Sequence, residues 1–173
     1  MTDAVWSISR SLARLRLPGQ ETFSADEASR ARIARFLALE GLGAMVASLN
    51  HEAWRDGARV WGRVEAVATR LCGVTLEPFE ERVEADFDQC FVPEGSPNAP
   101  APEAEVVVML ETDDPPEVVR GETVDLATYL VEVLGLALDP FPRRPGAVFD
   151  YVDPSGETSP FAILKFAKPD NPK

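Results

Sequence analysis

The firmest alternation of apolar and polar positions runs from Val60 to Leu71. Val60, Gly62, Val64, Ala66 and Ala68 share one side of an extended chain, and Trp61, Arg63, Glu65, Val67 and Thr69 share the other. Leu42 to Trp54 alternates less strictly. Asp56-Gly57 between the two is a turn signal, so the pair predicts a β-hairpin. Glu81 to Val92 predicts a third strand, with Val83, Ala85, Phe87, Gln89 and Phe91 on one face and Glu84, Asp86 and Asp88 on a solvated one. Shorter strands are expected over residues 5–9 and 105–110.

Helical spacing appears twice. Ser24-Ala25-Asp26-Glu27 reads as a capping box, and Ala28, Ala31, Ile33, Phe36, Leu37 and Glu40 continue it until Gly41 and Gly43. The outer face of this helix carries Arg30, Arg32 and Arg35. The second helix opens at Asp125, a favourable N-cap, and runs through Leu126, Tyr129, Leu130, Val133, Leu134 and Ala137 to a stop at Pro140. Pro142 and Pro145 then keep the chain extended. Leu12, Leu15 and Leu17, set among Arg10, Arg14 and Arg16, read as an irregular stretch with leucines packed and arginines outward. Residues 93–102 form a proline-rich loop, and Asp113-Asp114-Pro115-Pro116 breaks the strand before it. Phe161 to Leu164 offers one helical turn, and residues 166–173 read as a flexible tail. The order predicts an α+β fold: a mainly antiparallel sheet with two main helices packed against it, in a single domain over residues 1–173.

Composition makes a packed core feasible: 173 residues, 45% hydrophobic and 27% charged, need no metal or disulfide staple. No apolar run approaches the roughly 20 residues that span a bilayer, and Met1 to Arg10 lacks the layout of a secretion signal. The expected compartment is the cytoplasm, with Cys72 and Cys90 reduced.

The net charge of −12 makes the whole surface a poor binder of phosphate backbones. The charge is uneven. Met1 to Cys72 holds ten Arg against eight Asp and Glu, about +2, and the rest of the chain carries about −14. An anion-binding face is therefore expected on the N-terminal part, and a basic partner on the remainder.

Catalytic signatures are sparse. His51 is the single histidine, and zinc needs three or four ligands, so it reads as structural or surface. No Gly-x-Ser-x-Gly nucleophile sequence occurs, and Gly41-Leu42-Gly43 follows a helix, not a strand, and lacks a third glycine. Cys72 and Cys90 form no Cys-x-x-Cys pair; two separate thiols and a pair meeting across neighbouring strands both remain open. Glu80-Glu81 and Asp113-Asp114 read as solvated carboxylates, because acid/base pairs need burial to separate their pKa values. No catalytic residue, metal site or cofactor is expected.

Three stretches resemble the YceD family. The first is Ala68 to Phe79, with Cys72 and Thr75-Leu76-Glu77-Pro78 as its motif residues. The second joins Val124-Asp125-Leu126 to the run from Leu134 to Gly146, which contains Pro140, Pro142, Arg143, Arg144, Pro145 and Gly146. The third is the ending Ser159 to Leu164. Many relatives carry Cys-x-x-Cys at the central motif. Thr75 stands at the second position here, so the resemblance implies no Cys-pair metal site. The variant is similar to those of alphaproteobacteria.

The resemblance implies a non-enzymatic bacterial factor that supports synthesis, processing or accumulation of large-subunit (23S) ribosomal RNA. Its partner would be ribosomal RNA or a ribosomal or assembly protein, with no membrane involved. Arg30, Arg32, Arg35, Arg143 and Arg144 are the candidate contacts for RNA or partner. Arg143-Arg144 between prolines is a stiff presentation suited to phosphate or carboxylate. The alternatives are a small acidic hydrolase or nuclease, and an acidic holdase for basic proteins.

Overall fold

The structure, a computed structural model, describes residues 5–100 and 115–149. The expected strand at 105–110, the Asp113-Asp114 pair, the Phe161 to Leu164 turn and the tail over 166–173 lie outside the described residues.

Among the described residues ten elements follow in order: β1 (Ser9–Ser11), α1 (Leu12–Leu15), β2 (Gly19–Ser24), α2 (Glu27–Phe36), β3 (Gly41–Trp54), β4 (Gly57–Leu71), β5 (Pro78–Pro93), β6 (Glu117–Val119), β7 (Thr123–Asp125) and α3 (Leu126–Ala137). One five-stranded sheet has the order β2-β3-β4-β5-β6. Its ladders are antiparallel except β5–β6, and β1 and β7 form a separate antiparallel pair. The expected α+β class and mainly antiparallel sheet are what the chain adopts.

The hairpin of β3 and β4 dominates. Its rough alternation in β3 has one cause. Leu42 pairs with Ala68 and Ala44 with Val67, so Gly43 is the extra residue of a β-bulge. Beyond it the pattern is strict, with Met45, Ala47, Leu49 and His51 buried opposite Ala66, Val64, Gly62 and Val60. The two-residue turn uses Arg55 and Asp56, with Arg55 at φ 52°, and Gly57 is already in β4. Gly57 is needed there for another reason. A Cβ on it would lie 1.8 Å from the Phe91 carbonyl oxygen on β5. Gly62 is confined likewise, 2.1 Å from the Ser48 carbonyl oxygen.

All three helices pack on the same face of the sheet, around one core. Leu15, Ile33, Leu49, Leu130 and Leu134 are almost completely buried, each worth about 1.5–3 kcal/mol of transfer free energy. On α3 the buried stripe is Leu126, Ala127, Leu130, Val131 and Leu134, while Ala137 is exposed. Tyr129 stacks edge-on to Phe87 and Phe91 and donates its hydroxyl to Gln89 Oε1 at 3.3 Å.

Several local expectations are corrected. The N-terminal strand begins at Ser9 rather than Val5, because its partner β7 is only three residues long. The leucines at 12 and 15 form a helical turn capped by the Ser11 hydroxyl; Leu17, expected to pack, is exposed. Ser24 is not a helix cap, since it ends β2 paired with Val46. The cap of α2 is Asp26, whose carboxylate accepts the Ser29 N–H at 2.7 Å. That bond and the Ser29 hydroxyl hold its carboxyl below the usual carboxylate range. The helix ends at Phe36, not at Gly41. Leu39 N–H reaches Ala34 O at 2.8 Å across Ala38, which takes φ 53°. Within α2 the buried positions are Ser29, Ile33 and Ala34, while Ala28, Ala31 and Phe36 are exposed.

Candidate functional site

Strand register maps the face of the sheet that no helix covers among the described residues. Along β4 its outward side chains are Arg59, Trp61, Arg63, Glu65 and Val67. Across from Trp61 stand Asn50 on β3 and Asp88 on β5, with Gln20 beyond Asn50 on β2. Across from Arg63 stand Ser48, Thr22 and Asp86. Ser48, Asn50, Trp61, Arg63, Asp86 and Asp88 line an open depression of about 600 Å³. Arg59 lies over the Trp61 ring, 5.2 Å from its centroid.

The charges on this face are ordered by strand. The acidic row of β5 meets the basic row of β4. Arg59 donates to both oxygens of Asp88, and Arg63 donates to Asp86 at 2.7 and 3.0 Å and to Glu84 at 3.4 Å. These bonds hold both aspartates below the usual carboxylate range. Such forks fix orientation, but exposed pairs each stabilise the fold by only about 0–1 kcal/mol. The carboxylates stay wet, with the Asp86 side chain 71% exposed. The sequence pattern placed the acids outward. It could not show that Arg59 and Arg63 are their partners, because that pairing needs the β4–β5 register.

The stretches around Cys72 and Pro142 come together. Cys72 N–H donates to Glu77 O at 2.9 Å and Leu76 N–H to Cys72 O at 2.8 Å, closing a loop in which Leu76 takes φ 57°. Gly73 N–H donates to Pro142 O at 2.8 Å, and Arg144 Nη1 to Glu77 Oε2 at 2.7 Å. The buried Cys72 sulfur accepts N–H groups of Thr75 at 3.5 Å and Arg144 at 3.4 Å. Hydrogen bonding from the Thr75 side chain, and then from these N–H groups, pulls the thiol down to about 6 against the opposing effect of burial. Thr75 is thus a donor to the sulfur. Cys90 lies at the other end of the β4–β5 ladder, opposite Arg59, so the two cysteines do not meet.

Asp125 and Leu126 hold a different junction. The Asp125 carboxylate accepts the N–H groups of Ile8 at 2.9 Å and Ala127 at 3.1 Å, and Leu126 is buried in the core. Pro140 follows α3, and Pro145-Gly146 complete a turn closed by Ala147 N–H to Arg144 O. Pro78 opens β5 opposite Leu71.

The candidate arginines do not converge as one patch. Arg30 donates to Ala25 O at the entry to its own helix, and Arg32 donates to Val5 O and Ser29 Oγ. Arg144 is paired with Glu77. Arg35 and Arg143 are exposed and make no side-chain bond among the described residues.

His51 is interior. Its Nδ1 donates to the Leu15 carbonyl at 3.1 Å, and its Nε2 faces Glu21 Oε1 at 3.5 Å. Its ring covers Gly19, where a Cβ would lie 2.7 Å away. A cavity of about 240 Å³ beside α3 is lined by Glu117, Arg120, Asp125, Tyr129 and Glu132 among others. Among the described residues, no three acidic, histidine or cysteine side chains are grouped so as to hold a metal ion. No helix among them is long and apolar enough to cross a membrane.

The family model described as large ribosomal RNA subunit accumulation protein YceD matches residues 60–160. Neither the curated proteins nor the solved structures give a match. The matched span takes in most of β4, all of β5 and α3, and the joined stretches at Cys72 and Pro142, more than half of the 173 residues, and the chain belongs to the YceD family.

Proposed function

We propose that this protein supports the accumulation of large-subunit ribosomal RNA in the bacterial cytoplasm by binding, without catalysis. The family match carries the reading. The geometry supports docking over chemistry. Asp86 and Asp88 are spent on arginines at an open sheet face, Asp125 caps a helix, and the Cys72 sulfur is enclosed by N–H donors. A hydrolase or nuclease would need ionisable groups aimed jointly at a reacting atom.

The partner is a ribosomal or assembly protein, or ribosomal RNA itself. A protein partner is favoured by the net charge of −12, which raises encounter rates with basic chains and disfavours phosphate. For an RNA contact the available groups are Arg35 and Arg143, since Arg30, Arg32 and Arg144 are already engaged.

Deletion of the gene tests the function. The ratio of large- to small-subunit ribosomal RNA falls in the deletion strain and returns with the wild-type chain; an unchanged ratio overturns the reading. For RNA contact, a salt titration of rRNA-fragment binding by Arg35→Ala and Arg143→Ala decides. Losing a phosphate contact lowers the salt slope by about one unit, and identical slopes remove these arginines.

A further inference from the structure

We propose that the face of the sheet left uncovered by the described residues is a docking surface for an extended, lysine- and arginine-rich segment of a basic protein, laid along the β5 row. This deepens the binding function proposed above and rests on it.

The argument begins with what a sheet face requires. The opposite face is buried under α1, α2 and α3, whereas this one keeps its charges in water although it spans strands of 14 to 16 residues. On β5 the outward positions Glu80, Arg82, Glu84, Asp86 and Asp88 repeat every second residue, about 6.7 Å apart. An extended peptide has the same two-residue repeat. Basic residues opposite Glu80, Glu84, Asp86 and Asp88 would each meet a carboxylate without either chain bending, with a neutral residue facing Arg82.

Charge selects this occupant over a nucleic acid. Arg59, Arg63 and Arg82 are outnumbered by the four β5 carboxylates together with Glu52 and Glu65 on the same face. The Arg59 and Arg63 forks are already filled by Asp88 and Asp86, so a phosphate would meet only Arg82, set within a row of like charge. The carboxylates retain capacity, because the Glu84 side chain is 59% exposed and only 3.4 Å from one arginine nitrogen. Trp61, at the centre, offers ring surface to the aliphatic stem or the charge of an incoming base.

The test uses the full chain and two fluorescent peptides of equal length, one with Lys at alternate positions and one with Glu there. The Lys peptide binds and the Glu peptide does not. Glu80→Gln combined with Glu84→Gln weakens the Lys peptide roughly tenfold, from two lost charge pairs. The same charge change at Glu117 and Glu132, beside α3, leaves affinity within about twofold. Equal losses in the two double variants would mean diffuse attraction and overturn the proposal. So would an rRNA fragment that displaces the Lys peptide from this face and loses affinity on Arg63→Gln. In cells, the Glu80/Glu84 double variant fails to restore the ribosomal RNA ratio of the deletion strain. If it restores the ratio fully, the docking surface is wrong and the function stands; if deletion never changed the ratio, the function itself is wrong.

Discussion

The Asp125 carboxylate accepts the Ile8 backbone N–H at 2.9 Å across 117 residues of sequence, while also capping α3 through Ala127 N–H. One side chain therefore joins the residue that leads into β1 to the helix that covers β4 and β5. Leu126 N–H completes the junction by donating to Ile8 O at 3.0 Å. Asp125→Ala removes a helix cap and leaves two partly buried N–H groups without their acceptor, a loss of about 2–3 kcal/mol. Urea unfolding of the variant checks this through its midpoint. Asp125→Asn keeps an acceptor and should lose less than half as much.

Gly57 is constrained by the neighbouring strand, not by its own backbone angles. A methyl group there would lie 1.8 Å from a backbone oxygen, which cannot swing aside as a side chain could. Gly57→Ala therefore destabilises by about 3 kcal/mol, by forcing β4 away from β5. Gly43, the bulge residue, has its nearest neighbour at 3.7 Å, so Gly43→Ala changes stability by about 0.5 kcal/mol or less. Thermal melts of the two variants compare the effects directly, and equal shifts would refute the close-approach account.

Helix α2 offers a stabilising substitution. Ala38 occupies the left-handed position after the helix, between the bonds Ala38 N–H to Arg35 O and Leu39 N–H to Ala34 O. Glycine adopts that conformation without a Cβ penalty. Ala38→Gly raises stability by about 0.5–1 kcal/mol even though it replaces the better helix former. A lower denaturation midpoint would show that the position is not held left-handed in solution.

Ala38 also shows where sequence reading stops. A search for helix ends looks for glycine, and Gly41 and Gly43 stood ready, yet the chain reverses at an alanine because Leu39 must turn inward to pack against the core. At the other end, Ser24 was read as the cap, and its pairing with Val46 in β2 leaves that role to Asp26. The long strands were legible because each buries one face, which imposes a strict period of two. The short strands β1, β6 and β7 were not, since three residues carry no period and exist through their partners. For the candidate site, the Cys72 and Pro142 stretches were visible as motifs. Their contact was not, because 70 residues separate Cys72 from Pro142 in sequence.

Cys72 gives the sharpest pH dependence. Its thiol is held at about 6 in the folded chain, below the ordinary 9.0, by donors from Thr75 and Arg144 that favour the thiolate. A depressed acid stabilises the fold when ionised. The contribution is fully present above pH 9.0, shrinks as pH falls through the interval, and is lost below about 6. Between those values the wild-type protein should therefore gain stability with rising pH relative to Cys72→Ser. Thiolate ultraviolet absorbance in a Cys90→Ala background locates the midpoint, and Thr75→Val moves it upward by removing the first donor. Stability curves of wild type and Cys72→Ser that run parallel across this interval would show that the sulfur is a neutral thiol, and that the clasp between the Cys72 loop and the Pro142 stretch rests on the Gly73 and Arg144–Glu77 bonds alone.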